Sequence, residues 1–415
     1  MSERYDILII GAGISGLSMA HYCRQQGLNP LVLEKEERVG GSLHSQRFDG
    51  EEAAFWMELG AHSCFNSYGN LLAMLEDCHL LSRLQKKEKV GFRLWVDGML
   101  QSIPSQLHVL ELLGSLPHLL TQKKAGQSVA DYYAKIVGPR NFAAVFSPAF
   151  DAVICQPSAT FPADLLFRSK RRRRDIIRSF TLPGGLQTIT DALAEQAGLR
   201  VLTGQDIQTL AFMNGEFIVS TAGGNAYAAP FLCLATPVDV AAELLQAAFP
   251  ELARLLARLR MVAVETVGVV VRKEVVNLPL LAGIIARDDC FFSVVSRDTV
   301  QHPCYRGFTF HFKPGLLDHA GKLKRIGQVL GSEPEQLVWV ASKANHLPAL
   351  TVGHGDLIRG IDRQIVGLPL ALTGNYYTGV SIEDCVARSA SEFSRLRDLR
   401  GFGSGGHGSR QAVEQ

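Results

Sequence analysis

Along the chain, apolar positions alternate between short unbroken runs and helical spacing. Tyr5-Asp6-Ile7-Leu8-Ile9-Ile10 is a stretch of buried-strand type, and behind it Leu17, Ala20 and Cys23 share one side of a helical pattern. Pro30-Leu31-Val32-Leu33 predicts a second strand. The segments Val90–Val96 and Met99–Ile103 flank Asp97-Gly98, a hairpin signal. Residues 105–180 read as mostly helical. After Pro183-Gly184-Gly185 an amphipathic helix places Leu186, Ile189 and Leu193 on one face. Val201-Leu202 predicts a strand with its exit at Ile207, and Phe217–Val219, Phe231–Ala235 and Val262–Val271 predict three more. Trp339 to Asp356 reads as a loop-rich return, Leu370–Thr373 as a last buried strand, and Ile382 to Leu399 as a helix. The Gly- and Ser-rich tail from Gly401 reads as disordered, and no internal repeat is visible.

This order predicts an α/β protein. A Rossmann-like nucleotide-binding domain, discontinuous over residues 1–80, 181–260 and 346–400, is interleaved with an α+β substrate domain over 81–180 and 261–345, with 401–415 as tail. At 415 residues the chain is long enough for that pair, and a net charge of +2 gives no general case for nucleic acid. The eight cysteines contain no C-x-x-C pair and no zinc spacing, so buried thiols in a reducing compartment are expected and no metal site is readable. The first strand starts at Tyr5, leaving no room for a cleavable leader, so the expected location is cytoplasmic. The apolar segment Leu107–Leu120 is too short to span a bilayer and could at most lie peripherally on the inner face of a membrane.

The chemistry begins at Gly11-Ala12-Gly13-Ile14-Ser15-Gly16, between the first strand and its helix. Gly11 permits a tight turn, Gly13 lets backbone N–H groups approach a pyrophosphate, and Gly16 lets helix and strand pack closely. The helix start at Ile14 and Ser15 offers unpaired N–H groups to phosphate. Glu34, with Lys35 beside it, closes the second strand where a carboxylate can accept hydrogen bonds from ribose hydroxyls, which favours an adenosine with a free 2′-hydroxyl. Gly40-Gly41-Ser42 and Glu58-Leu59-Gly60-Ala61-His62 follow. Further on come Trp95–Pro104, Phe180-Thr181-Leu182-Pro183-Gly184-Gly185-Leu186, and Gly374-Asn375-Tyr376-Tyr377-Thr378-Gly379-Val380-Ser381-Ile382-Glu383-Asp384-Cys385.

Taken in order, these segments resemble the flavin amine oxidase superfamily, and within it the oxygen-dependent protoporphyrinogen oxidases. The resemblance covers nearly all of the chain except the tail. It implies FAD, held by Gly11, Gly13, Ile14, Ser15, Gly16, Glu34, Lys35, Gly40, Gly41, Ser42, Gly60, Ala61, His62, Ile207 (against the adenine), Gly374, Asn375, Gly379, Val380, Ser381 and Ile382. The helix opening at Ser381-Ile382 would aim its positive end at the pyrimidine edge of the flavin. Four positions depart from the pattern. Val264–Val269 lacks the lysine that amine oxidases place near flavin N5, and Val380 stands where they use an aromatic residue. Ser42 stands where many relatives have Arg or Lys, and Asn375 replaces an acid.

The resemblance implies hydride transfer from a substrate C–H to flavin N5, with dioxygen as acceptor and a porphyrinogen-type substrate. An amine oxidase or a desaturase acting on an apolar biosynthetic intermediate is the alternative. A binding or escort protein that has lost turnover is the alternative of another class. His62, Tyr376 and Tyr377 are weak catalytic candidates, each equally readable as structural. The basic run Arg168, Lys170, Arg171, Arg172, Arg173, Arg174 and Arg178 reads first as a solvated face, then as a cradle for substrate carboxylates or an anchor to anionic lipid.

Overall fold

The computed structural model describes residues 4–49 and 54–399; the tail expected to be disordered lies outside them. A five-stranded parallel sheet runs in the order Arg200–Leu202, Pro30–Leu33, Ile7–Ile10, Phe231–Leu234, Leu370–Leu372. The middle strands are buried on both faces, so they read as continuous apolar runs without alternation. One face packs against the helices Ile14–Gln25, Gly69–Asp77, Gln187–Ala194 and Ile382–Arg397. The other packs against an antiparallel meander (Ile207–Met213, Glu216–Thr221, Ala226–Ala229) and the helices Val238–Leu245, Pro250–Leu256 and His354–Ile365.

A second sheet has seven strands in the order Leu337–Ala349, Arg260–Arg272, Tyr305–Phe312, Phe291–Ser296, Gly283–Ala286, Phe92–Val96, Met99–Ser102. Along Tyr305–Phe312 the side chains alternate: Phe308, Phe310 and Phe312 enter the core under the helix His319–Leu330. Gly307, Thr309 and His311 face the other way, toward the hairpin Ser45–Asp49 and Ala54–Glu58. Glycine is needed there. A Cβ on Gly268 would lie 2.6 Å from Leu59 and 2.7 Å from Met57, and one on Gly307 would lie 2.8 Å from the Phe55 ring. The sheet is tied at one end by a buried pair. The Arg306 guanidinium meets both oxygens of Asp298 at 3.0 and 2.6 Å and donates its remaining hydrogens to carbonyls of Val276, Leu278 and Pro279.

The hairpin at Asp97-Gly98 forms as expected, with φ of 49° and 77°. Two expectations need correction. Residues 105–180 hold only short helices up to Ile154, then a largely irregular stretch ending in the strand Ser179–Thr181. The loop-rich return at Trp339–Asp356 is instead mostly the strand Leu337–Ala349, paired along its length with Arg260–Arg272. Its polar residues and Pro348 concealed it. It is an edge strand, where a proline costs no ladder hydrogen bond on the open side.

Candidate active site

The first turn has the expected close approaches. Gly11 takes φ of 101°, and a Cβ there would sit 2.7 Å from the Ala235 carbonyl oxygen. A Cβ on Gly16 would lie 1.9 Å from the Gly11 carbonyl oxygen. Gly13 differs: with φ of −73° it tolerates any residue, and a Cβ there would meet nothing within 4 Å. Its surroundings are an open cradle in front of the helix start at Ile14 and Ser15, which suits a phosphate. Gly40 N donates to Ala12 O at 2.8 Å and lays the Gly40-Gly41-Ser42 turn beside this cradle.

Glu34 closes its strand as expected. One oxygen accepts Ala12 N–H at 2.6 Å and the other accepts Glu36 N–H at 2.9 Å. A carboxylate has about four acceptor positions, so two remain for ribose hydroxyls. Gln205 N donates to Glu34 O at 2.7 Å, which brings the start of Ile207–Met213 to the same edge. Lys35 turns outward and pairs with Asp206 at 3.3 Å.

Ser42 brings no charge, yet two cations converge one residue earlier. Arg38 Nη2 and Lys343 Nζ donate to Gly41 O at 2.7 and 3.0 Å. Burial, with the nearby Arg38 charge, pulls the Lys343 ammonium down to about 8. Lys343 lies opposite Thr266 on one side and Thr266 lies opposite His311 on the other, so the three form a cross-strand row. Asn345 donates to Leu59 O at 2.9 Å and to Thr266 Oγ1 at 2.8 Å. Gly60 and Ala61 sit against Ser42, where Ala61 N donates to Ser42 O at 2.9 Å. None of Lys343, Asn345 or His311 was assigned from sequence. The i, i+2, i+4 order of Gly307, Thr309 and His311 opposite three phenylalanines was the readable sign.

His62 stacks on His311 with ring centroids 6.1 Å apart. Burial lowers both imidazoles, His62 to about 4 and His311 to about 3, so both are neutral at pH 7. Beside them Glu58 accepts Ser45 Oγ–H at 2.6 Å and Leu186 N–H at 2.8 Å, and burial raises its carboxyl to about 7. The pH dependence of stability follows. Between pH 4.5 and 6.5 the two histidines take up protons on unfolding, while Glu58 releases one. Histidine stability is therefore lost as pH falls through this window, and the Glu58 contribution is lost as pH rises through it. His311→Phe should shrink the loss of stability from pH 6.5 to 4.5 by about 2 kcal/mol, because the unfolded imidazole takes up nearly one proton across the window. Urea midpoints at the two pH values check this; an unchanged difference would remove His311 as a neutral buried group.

Glu58 and His62 line a cavity of about 30 Å³ together with Lys87, Thr181, Arg297 and Thr309. Lys87 Nζ donates to His62 O at 2.9 Å, and Arg297 stacks 4.0 Å over Trp56. Burial depresses both cations, Arg297 to about 10. Arg297 Nη1 and Thr181 Oγ1 are buried there without a protein partner among the described residues.

At the other end, Gly374 and Gly379 bracket the last loop, and Ser381 caps Ile382–Arg397, its Oγ accepting Asp384 N–H at 3.2 Å. Asn375, Val380 and Ser381 are half-buried and Ile382 is buried. Asp384 would weaken the positive helix end, but Lys170 at 2.8 Å and Arg168 at 3.2 Å offset it, and Arg168 also donates to Thr378 O. Part of the basic run thus belongs to this loop. Tyr376 and Tyr377 are fully buried in the core on the meander side of the parallel sheet, Tyr377 with Arg388 stacked 3.6 Å from its ring centroid.

The model of the flavin containing amine oxidoreductase family matches residues 14–309, well over half of the chain. The chain belongs to this family. The turn, cradle and carboxylate described above fit a flavin cofactor. A 15-cis-phytoene desaturase of Synechococcus elongatus is 35% identical over 81 residues, 20% of this chain and 16% of that protein. A flavin-containing amine oxidase of Danio rerio is 45% identical over 59 residues, 14% of this chain and 11% of that one. Each match spans only a small part of the relative's length. A provisionally named protoporphyrinogen oxidase from Exiguobacterium sp. 255-15 shares the fold, with a TM-score of 0.77, 19% identity and coverage of 95% of this chain and 98% of that one.

Proposed function

We propose that this chain is an FAD-dependent oxidoreductase that removes hydride from a C–H bond of a carboxylated, porphyrinogen-type substrate. Bound FAD would supply the hydride acceptor at its N5, with dioxygen restoring the oxidised form. Gly11, Gly13, Gly16 and the start of Ile14–Gln25 would hold the pyrophosphate, and Glu34 the ribose. Arg38 and Lys343 fix the Gly40-Gly41 turn against it. The helix start at Ser381-Ile382, its Asp384 offset by Lys170 and Arg168, favours negative charge in front of it. His62 and His311, both neutral and stacked on each other, present no proton acceptor stronger than an imidazole. No protein base is required for the hydride step.

The observation that carries the substrate class is the cavity beside His62. Lys87 and Arg297 face one carboxyl group, Glu58, and Arg297 Nη1 has no protein acceptor among the described residues. By the measure of about 10–15 Å³ per water, the cavity of about 30 Å³ has room for two or three waters, enough for the oxygens of one carboxylate. Deprived of air and given a porphyrinogen bearing propionates, the purified protein should lose its oxidised flavin absorption within the mixing time of a rapid spectrometer. A yellow protein that stays oxidised would refute the porphyrinogen assignment. A second reading, oxidation of an apolar intermediate, is favoured by the exposed leucines Leu110, Leu113, Leu119 and Leu120 of the helices Val109–Ser115 and His118–Thr121, and bleaching by such a compound alone would select it. A protein that is colourless even after FAD is added would leave only a binding role.

A further inference from the structure

We propose that the cavity beside His62 is a binding site for one small monovalent anion, of the size of chloride or formate. Its lining carries two cations, Lys87 and Arg297, and a single carboxyl group, Glu58. That carboxylate neutralises neither cation by contact and acts on them only through space. Its two oxygens are taken by neutral donors, Ser45 Oγ–H at 2.6 Å and Leu186 N–H at 2.8 Å. Among the described residues neither cation forms an ion pair. Lys87 Nζ donates to His62 O at 2.9 Å, and Arg297 Nε donates to Trp56 O at 3.1 Å. Both acceptors are neutral carbonyls, so the cavity wall keeps an excess of positive charge.

The donors for such an anion are held in place. Arg297 lies 4.0 Å over the Trp56 ring, and this stacking together with its Nε bond sets the plane of the guanidinium. Arg297 Nη1 and Thr181 Oγ1 are buried and have no protein partner among the described residues, and Thr181 as a whole is only 3% exposed. A cation withdrawn from water without a counter-charge is costly, and burial already depresses both groups, Arg297 to about 10. Water can satisfy the two donors but leaves the charge, whereas an anion satisfies both. By the measure of about 10–15 Å³ per water, a cavity of about 30 Å³ takes two or three water-sized particles. That admits a halide or the two oxygens of formate and excludes the four oxygens of sulfate. One consequence rests on the reading of this cavity as the seat of a substrate carboxylate: chloride must leave before such an arm enters, so it acts as a competitive inhibitor.

The purified protein is dialysed into gluconate, an ion too large for the cavity, and titrated with sodium chloride, bromide or formate at constant ionic strength. A saturable rise of the unfolding temperature with each of the three, and none with sulfate, is the expected result. Arg297→Met keeps a long side chain over Trp56 and should weaken chloride binding at least about 10-fold, the loss expected for one hydrogen bond to a charged group. Thr181→Val should weaken it in the same direction, and it decides the matter if the Arg297 variant does not fold. Crystals soaked in bromide should show one anomalous peak within hydrogen-bonding reach of Arg297 Nη1 and Thr181 Oγ1. An unfolding temperature that responds to chloride no more than to gluconate overturns the proposal, and so does a bromide-soaked crystal with only water at that place. Chloride should also raise KM for a propionate-bearing porphyrinogen without lowering kcat. Stabilisation by chloride with KM unchanged keeps the anion site and refutes the carboxylate seat. Porphyrinogen oxidation by a protein indifferent to chloride does the reverse.

Discussion

Gly13→Val should give a protein that folds with unchanged stability and is colourless. Gly13 already has dihedral angles open to any residue, and a Cβ there would meet nothing within 4 Å. Any penalty must then come from a bound group filling that space. A branched side chain pushed into a phosphate cradle displaces several hydrogen bonds to backbone N–H groups, each worth roughly 1 kcal/mol or more. Flavin affinity should fall by at least about 100-fold. Gly16→Val offers the contrast, because its Cβ would lie 1.9 Å from the Gly11 carbonyl oxygen and so would damage the fold itself. Flavin titration and urea unfolding of both variants, side by side, separate the two roles. A Gly13→Val protein that binds flavin as tightly as the wild type would move the pyrophosphate elsewhere.

The second large effect lies far from the flavin. Asp298→Ala should destabilise the protein by about 3–5 kcal/mol, because it strands the buried Arg306 guanidinium. Arg306 and Asp298 are 5% and 3% exposed, and their two-point contact at 3.0 and 2.6 Å is the only charge neutralisation given to that arginine among the described residues. Arg306→Leu should cost a similar amount. Replacing both together should cost less than either alone, since no isolated charge is then left behind. Urea midpoints for the three variants give the coupling directly, and additive losses would show that the pair is not a unit.

What could be read from the sequence divides along a physical line. Local features were legible: the Gly11-to-Gly16 turn, Glu34 at the strand end, the Asp97-Gly98 hairpin and the capped helix at Ser381 each express constraints a few residues long. The cross-strand features were not. Lys343 was hidden in a segment that looked like a loop, and only pairing with Arg260–Arg272 sets it opposite Thr266. The lysine sought on Val264–Val269 by analogy is absent from that strand, yet one stands on its neighbour. Arg297 and Lys87 meet Glu58 only through tertiary packing, from segments over 200 residues apart. In the basic run the sequence could not separate Lys170, which docks on Asp384, from Arg171, which is exposed. Tyr376 and Tyr377, read as weak catalytic candidates or as structural residues, lie in the apolar core, where a tyrosine is as easily accommodated as a phenylalanine apart from its hydroxyl.

The order of strands in the parallel sheet also sets a timetable for synthesis. Ile7–Ile10 leaves the ribosome early, but its neighbour Phe231–Leu234 comes more than 200 residues later, and the strand that covers that neighbour's outer edge, Leu370–Leu372, later still. Until then Phe231–Leu234 offers a bare apolar edge to any passing chain. Helix Ile382–Arg397, whose Ser389 donates to Ser15 O at 2.8 Å, arrives after that to cover the first helix. Such long-range closure makes for slow maturation and a nascent chain that aggregates readily. Expression stopped short of residue 370 should therefore give inclusion bodies rather than a smaller working domain.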